Sequence, residues 1–565
     1  MNSLAEKLAS GIARIFPTAG QGEDPLSSTK AATRWLENLP NGDAYKCQQA
    51  LSNALKRFND TASDHSKNRL AVFMLLDEKS RDLQDTLVRQ YLRNPRMSRM
   101  VESQLWHAVY GLNWEVARGY HTFILHLSHE TSKNQHQDVI PLVTLRAIRA
   151  FDQLLKWRAI RYLPASEKLW LRLYNLYRIA ETDGFHRRLQ SAYPEETSEC
   201  SCESTLLHIL MLDLANSGTL YPKQLDLLDR WLCNWREYLK FDTQLDVNKH
   251  NFVTDLSADR GPRRVRKPDT DKPMRFWSTH DLLVQLQSIH ARLQKGETPE
   301  QLQLAGAPRT AESLELIDHL MHQWASLEER EQRRAPRTTT KRLVDVAHGL
   351  NAIIGQLKIA EAPPNVSPYG TGLNYNEADD VQIYGFVTDR TRERVSQMKP
   401  STLASSPDVE RWVMQDESEY GFGAVVESRD KDWLRVGALV SIKSHETTTW
   451  RIGIIRRLSR INNETSSIGI ETLPQTLSLV MLTDVTTSSY TVSGHDHTDA
   501  KPPYASLFLT APDQPGSVII DPVHYLANTA CRMQGAAGQE WISLGQPIEH
   551  SEGWIRVTIN PARGV

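Results

Sequence analysis

Cysteine is scarce, five residues in 565. Cys200-Ser-Cys202 is neither a CxxC pair nor matched by a second pair, which excludes a disulfide framework and a cysteine zinc site and fits a reducing cytoplasm. No stretch approaches the ~18 consecutive apolar residues of a membrane-spanning helix, and the first residues lack the layout of a signal peptide, so neither a span nor export is expected. Net charge is nearly absent: 66 Lys+Arg stand against 68 Asp+Glu, a formal charge of −2. Such a chain has no global field to draw in nucleic acid or an anionic membrane, and any anion site must be local. Also missing are a phosphate-binding P-loop, a GxSxG elbow and an HExxH helix, so no catalytic residue is assigned and an enzyme is not expected. The histidines His121, His126, His129, His136, His495 and His497 do not supply three ligands on one face, so no metal and no cofactor are expected.

What is present is an ordinary globular composition, 40% hydrophobic and 24% charged, in a chain long enough for three or four units. Residues 1–241 read as an all-α region of helical hairpins. Leu169, Leu173, Leu176, Tyr177 and Ala180 recur at helical spacing behind a Ser166 cap, and a partner helix is expected over Leu142 to Trp157. The tryptophans Trp35, Trp106, Trp114, Trp157, Trp170, Trp231 and Trp235 suggest antiparallel pairs without a fixed repeat. Leu4, Leu8, Ile12, Ile15 and Phe16 form a short apolar face, read as a first helix packed on its own domain rather than on a membrane. Residues 242–275, with the basic run Gly261 to Lys267, read as a linker. A second small helical unit is expected over 276–360, clearest where Leu314, Ile317, Leu320, Met321, Trp324 and Leu327 line one face behind Thr310. The basic runs 261–267 and 330–342 offer phosphate contacts, but the neutral overall charge argues against nucleic acid as the partner.

Pro and Gly over 361–380 mark a further linker, after which the apolar period becomes two. Candidate strands are Val381–Thr388, Arg411–Met414, Gly423–Ser428, Leu439–Lys443, Trp450–Ser459 and Ser467–Leu473, spaced as in a small barrel over 381–475. Residues 476–565 carry more strands (Ala505–Thr510, Ser517–Ile520, Trp541–Leu544, Trp554–Ile559) and read as a further small β unit. Arg390, Arg392 and Arg394 alternate after the first of these strands, and Asp416 follows 22 residues beyond Arg394. Arginine offers a planar fork for phosphate oxygens and for the O6/N7 edge of guanine. Asp416 and Ser418 can accept from guanine N1–H and N2–H₂, while Gly421 and Gly423 let backbone approach a ring.

Arg390-x-x-x-Arg394 followed by Asp416-x-Ser418-x-x-Gly421 resembles the paired RxxxR and (D/N)xSxxG signatures of PilZ domains. Trp433 to Lys443, Gly453 to Arg457 and Ile468 to Leu473 are similar to the strands that follow them in that family. The resemblance covers roughly 90 of 565 residues. It implies a six-stranded β-barrel that binds cyclic di-GMP without catalysis. By the same resemblance Arg390 and Arg394 hold phosphate and guanine, and Asp416, Ser418 and Gly421 shape the guanine pocket. Arg392, Gly423 and Arg456 are further candidates for that site. The second RxxxR, Arg456 to Arg460 with Glu464-x-Ser466-x-x-Gly469 behind it, falls on a barrel hairpin and reads as solvent-facing strand and turn. None of the GGDEF, EAL or HD-GYP signatures of enzymes acting on this messenger is present. The fold class expected is therefore multidomain α + β: a helical-hairpin region, a six-stranded barrel and a further small β unit. The helical region is expected to engage a protein partner; the alternative is a helical scaffold whose barrel carries no ligand.

Overall fold

A computed structural model describes residues 24–40, 42–61, 66–94, 97–128, 137–266, 272–306, 308–326, 337–361, 409–429, 431, 433–444, 449–462, 464–484, 502–511, 514–536, 538–551 and 553–562. The apolar N-terminal face at residues 4–16, the expected strand 381–388 and the arginines at 390–394 lie outside them. So do residues 362–380 of the second expected linker. The chain divides into two compact units, one comprising residues 1–157, 166–213 and 229–306 and the other 158–165, 214–228 and 307–565. No helix among the described residues is long and apolar enough to cross a membrane.

Among the described residues from Thr29 to Trp235, helix follows helix: α1 (Thr29–Glu37), α2 (Ala44–Asp60), α3 (Lys67–Arg93), α4 (Arg99–Leu127), α5 (Ile140–Ile160), α6 (Leu169–Thr182), α7 (Cys202–Leu214) and α8 (Pro222–Trp235). Side chains with short polar oxygens start the first four, Ser28, Asp43, Ser66 and Ser98 each accepting an amide of the first turn. The face expected for α6 is buried, Leu173, Leu176, Tyr177 and Ala180 being fully covered. Its cap is not Ser166. The helix begins at Leu169, and the carboxylate of Asp259, some ninety residues on, accepts the amides of Lys168 (2.5 Å) and Leu171 (3.3 Å). A cap supplied from so far along the chain leaves no local signal.

Residues 242–275 form a small sheet rather than a linker, apart from 267–271, which lie outside the described residues. Strand β1 (Phe252–Asp255) pairs antiparallel with β2 (Arg263–Arg264) and β3 (Met274–Trp277). Phe252 and Trp277 face each other across the ladder with ring centroids 5.9 Å apart, and both are fully buried. One aromatic pair anchors strands too short to show an alternation. Helix α9 (His280–Gln294) completes this unit, and α10 (Thr310–Trp324) belongs to the other, where Glu312 accepts the Arg309 amide.

The expected second helical unit over 276–360 also contains a strand, β4 (Thr338–His348), before α11 (Leu350–Glu361). Its β-branched residues Thr338, Thr339, Thr340, Val344 and Val346 favour extension, and it pairs with a strand on either side. Strands β5 (Val409–Ser418), β6 (Gly421–Glu427), β7 (Leu439–Ser444), β8 (Arg451–Arg460) and β9 (Thr465–Thr472) complete a closed barrel in the order β4-β5-β6-β9-β8-β7. Its interior holds Val344, Val346, Trp412, Met414, Phe422, Ala424, Ile442, Leu458, Ile468 and Ile470. Five of the six expected barrel strands are β5 to β9. The described strand that closes the barrel is β4, upstream of the boundary at 381.

The further β unit is a second closed barrel, β10 (Thr476–Asp484), β11 (Tyr504–Ala511), β12 (Gln514–Ile520), β13 (Ala530–Gly535), β14 (Gly538–Ser551) and β15 (Trp554–Pro561), in the order β10-β11-β12-β15-β14-β13. In both barrels the strands run first, second, third, sixth, fifth, fourth around the wall. Closure leaves neither sheet with a free edge. Leu350, Ile353, Ile354 and Leu357 of α11 pack with Ile452 and Ile454 of the first barrel and with Leu507, Leu509 and Ile519 of the second.

Candidate ligand-binding site

Asp416, Ser418, Gly421 and Gly423 come together where β5 turns into β6. Asp416 stands opposite Gly423 on one side and Thr339 of β4 on the other, and Ser418 pairs with Gly421 across a two-residue turn. The Ser418 hydroxyl donates to the Gly421 carbonyl at 3.0 Å and holds that turn closed. Register slips at Met414/Asp416 and at Thr339/Arg342 place bulges on both flanks of Asp416, a local re-aiming of the strand frequent beside binding sites.

The glycines are set by close approach. A Cβ on Gly423 would stand 2.9 Å from the Asp416 carboxylate, so that carboxylate lies over the bare backbone of its neighbour. A Cβ on Gly421 would overlap the Ile470 carbonyl oxygen across the ladder. Gly421→Ala is therefore expected to force β6 and β9 apart and cost about 2 kcal/mol, the scale of overpacking a filled site. Urea denaturation with the wild type alongside measures it; unchanged stability would mean the ladder yields freely.

The cation facing Asp416 is Arg337, whose Nη1 lies 2.6 Å from Oδ1, both side chains being about one-third exposed. Arg342 lies 3.7 Å from Glu417 one step along. Arg337 closes a basic stretch, Arg330, Arg333, Arg334 and Arg337, that leads directly into β4. The run 330–342, expected from sequence to offer phosphate contacts, contains Arg337 and the RxxxR spacing Arg333-x-x-x-Arg337, but nothing in the sequence ties it to Asp416. Of the expected site residues, Asp416, Ser418, Gly421 and Gly423 are brought together, while Arg390, Arg392 and Arg394 lie outside the described residues. Arg456 lies on β8, where it donates to Glu471 at 2.6 Å and to both oxygens of Glu549. Burial pulls its pKa down, but Glu549 and Glu471 together hold it above the ordinary arginine value, and its guanidinium is committed to them. The β11–β12 junction at the equivalent place in the second barrel has no Asp-x-Ser-x-x-Gly string.

A second polar cluster lies in the helical unit. Asp152 on α5, His208 on α7 and Asp229 on α8 present ligand-type atoms within 4.8 Å of one another. The ammonium of Lys156 lies among them, 2.7 Å from Asp229 Oδ2, and His208 Nε2 is 2.8 Å from Asp229 Oδ1. Burial would lower the pKa of His208, but its hydrogen bond to Asp229, the Cys233 thiol and the nearby carboxylates raise it to about 9. Burial and the adjacent Asp229 raise Asp152 to about 6. Asp229, despite its burial, is held below the usual carboxylate range by Lys156 and His208. The sequence did carry a signal, a lone histidine inside the otherwise apolar run Leu206 to Leu212.

Residues 30–245 match the family described as the N-terminal domain of the cyclic-di-GMP receptor FimW, and residues 374–477 match its middle PilZ domain. The cyclic-di-GMP receptor FimW of Pseudomonas aeruginosa is similar, 22% identical over 469 residues that cover 77% of this chain and 76% of that protein. The PilZ match takes in β5 to β9 and begins downstream of β4.

Proposed function

This chain carries a PilZ domain, and from that premise we propose that it is a cyclic di-GMP receptor that takes the dinucleotide on the first barrel and signals through its helical region to a protein partner. The observation that carries the reading is the Arg337–Asp416 pair at the Asp-x-Ser-x-x-Gly turn. It joins a guanidinium that suits phosphate or guanine O6/N7 to a carboxylate that suits guanine N1–H and N2–H₂. An arginine already held at the turn loses little freedom when the ligand arrives.

The RxxxR role falls on Arg333 and Arg337, which stand immediately before the first barrel strand, ahead of Arg390 and Arg394. Ser418 and Gly421 keep the turn closed, and Gly423 leaves room for the Asp416 carboxylate and for a purine face beside it. Ligand binding alters the helical region only to the extent that it favours one arrangement over another. The test is calorimetry on the full chain with cyclic di-GMP. Saturable binding is expected, and its absence would sink the proposal. Gly423→Val, which displaces the Asp416 carboxylate while leaving the strand pairing in place, is expected to weaken binding about tenfold, one pair's contribution of ~1.4 kcal/mol.

A further inference from the structure

Of the five cysteines, Cys47, Cys200, Cys202 and Cys531 are buried and Cys233 is exposed. Burial pushes the thiols of Cys202 and Cys531 up to about 12. Cys233 sits in the last turn of α8, one turn after Asp229, and its surroundings differ. The guanidinium of Arg236 places Nη2 3.1 Å from its sulfur, and the thiol donates to the Asp229 carbonyl at 3.5 Å. The buried imidazole of His208 is clamped through Nε2 by Asp229, which is itself held by Lys156. His208 Nδ1 has no hydrogen-bond partner among the described residues, and its ring interacts electrostatically with the Cys233 thiol. The arrangement is an imidazole oriented by a carboxylate on one side and facing an accessible sulfur on the other, with a guanidinium alongside.

We propose that Cys233 is a peroxide-oxidisable thiolate, a modification site assembled by His208, Asp229 and Arg236 on the helical unit. The sulfur attacks one oxygen of hydrogen peroxide. An S–O bond forms, the O–O bond breaks, and the departing hydroxide takes a proton from the His208 imidazolium to leave as water. Sulfur is oxidised by two electrons to the sulfenic acid and the peroxide is reduced. Arg236 stabilises the thiolate before the step and the sulfenate oxygen after it. Burial opposes ionisation of the thiol, but the His208 imidazolium and the Arg236 guanidinium outweigh it and lower its pKa. The charged groups facing the site are Asp152 and Lys156 from α5, His208 from α7, Asp229 from α8 and Arg236 from the turn after it.

The experiment uses the full-length protein. Dimedone trapping after hydrogen peroxide, read by peptide mass spectrometry, is expected to label Cys233 and to spare the four buried cysteines. Iodoacetamide alkylation of Cys233 is expected to be half-maximal at a lower pH than for an ordinary thiol. Arg236→Gln, at a half-exposed side chain, is expected to slow alkylation at pH 7 by about fivefold, and Arg236→Lys to restore most of the rate. A half-maximal pH at or above that of an ordinary thiol overturns the proposal. So does dimedone label absent from Cys233 or spread over the buried cysteines.

Discussion

Arg337→Ala is expected to weaken cyclic di-GMP binding about 100-fold, because it removes the guanidinium at the Asp-x-Ser-x-x-Gly turn and leaves Asp416 without the cation 2.6 Å away. A bidentate arginine contact to guanine or phosphate is worth ~1–3 kcal/mol, and 100-fold corresponds to about 2.7 kcal/mol. Arg333→Ala is expected to cost about tenfold, as the second arginine of the same spacing. Arg390→Ala and Arg394→Ala are expected to change affinity by less than about threefold. Calorimetry on the four variants separates the two arginine segments. Loss at Arg390 and Arg394 with Arg337→Ala unaffected would transfer the role to the downstream segment and leave the Arg337–Asp416 pair as a strand-to-strand contact. Loss at neither segment, with the wild type binding, would place the ligand elsewhere.

Asp416 to Gly423 was legible in sequence because the chemistry lies within eight consecutive residues that form one strand end and one turn. The arginine that meets it was not, because β4 and β5 are separated by some sixty residues and nothing local ties Thr339 to Asp416. The basic stretch before β4 also followed an amphipathic pattern starting at Thr310, so the helix was read past Trp324, where it ends. The β-branched run Thr338 to Val346 held the opposing signal, a propensity outweighed by the longer period. In the tail, four strands were legible from their alternation. Thr476–Asp484 ran on from the preceding barrel, and closure of the second barrel depends on the non-local pairs β10–β13 and β12–β15. The sheet at 252–277 escaped because its strands of two to four residues cannot show a period. The repeated strand order of the two barrels, set beside the absence of the Asp-x-Ser-x-x-Gly string from the second, shows that the fold closes without that string.

Asp229→Asn is expected to destabilise the helical unit by about 3 kcal/mol near pH 6.5, the lower end of what breaking a buried ion pair costs. Lys156 and His208 are both nearly inaccessible, and both bond to the Asp229 carboxylate. Asp152 stays as the remaining acid of the cluster; burial and Asp229 raise it to about 6, so without the Asp229 charge it ionises at this pH and offsets part of the loss. The pH dependence carries the sign. His208 titrates near 6.5 when unfolded and at about 9 in the fold, so the stability it contributes is complete below pH 6.5 and is lost as pH rises through about 9. That difference amounts to about 3 kcal/mol across the window. Asp229 works in the opposite direction: its folded pKa is depressed, so its contribution is present above about pH 4 and declines as pH falls below that. The wild type should therefore weaken between pH 6.5 and 9. Asp229→Asn should lose most of that slope, since His208 without its carboxylate returns toward the lowered pKa that burial alone dictates. Urea titrations at the two pH values, followed by hydrogen–deuterium exchange in the Cys202–Leu214 helix and corrected for intrinsic exchange, read the helical unit without interference from the barrels. Equal slopes in wild type and variant would show that Asp229 does not hold the His208 proton.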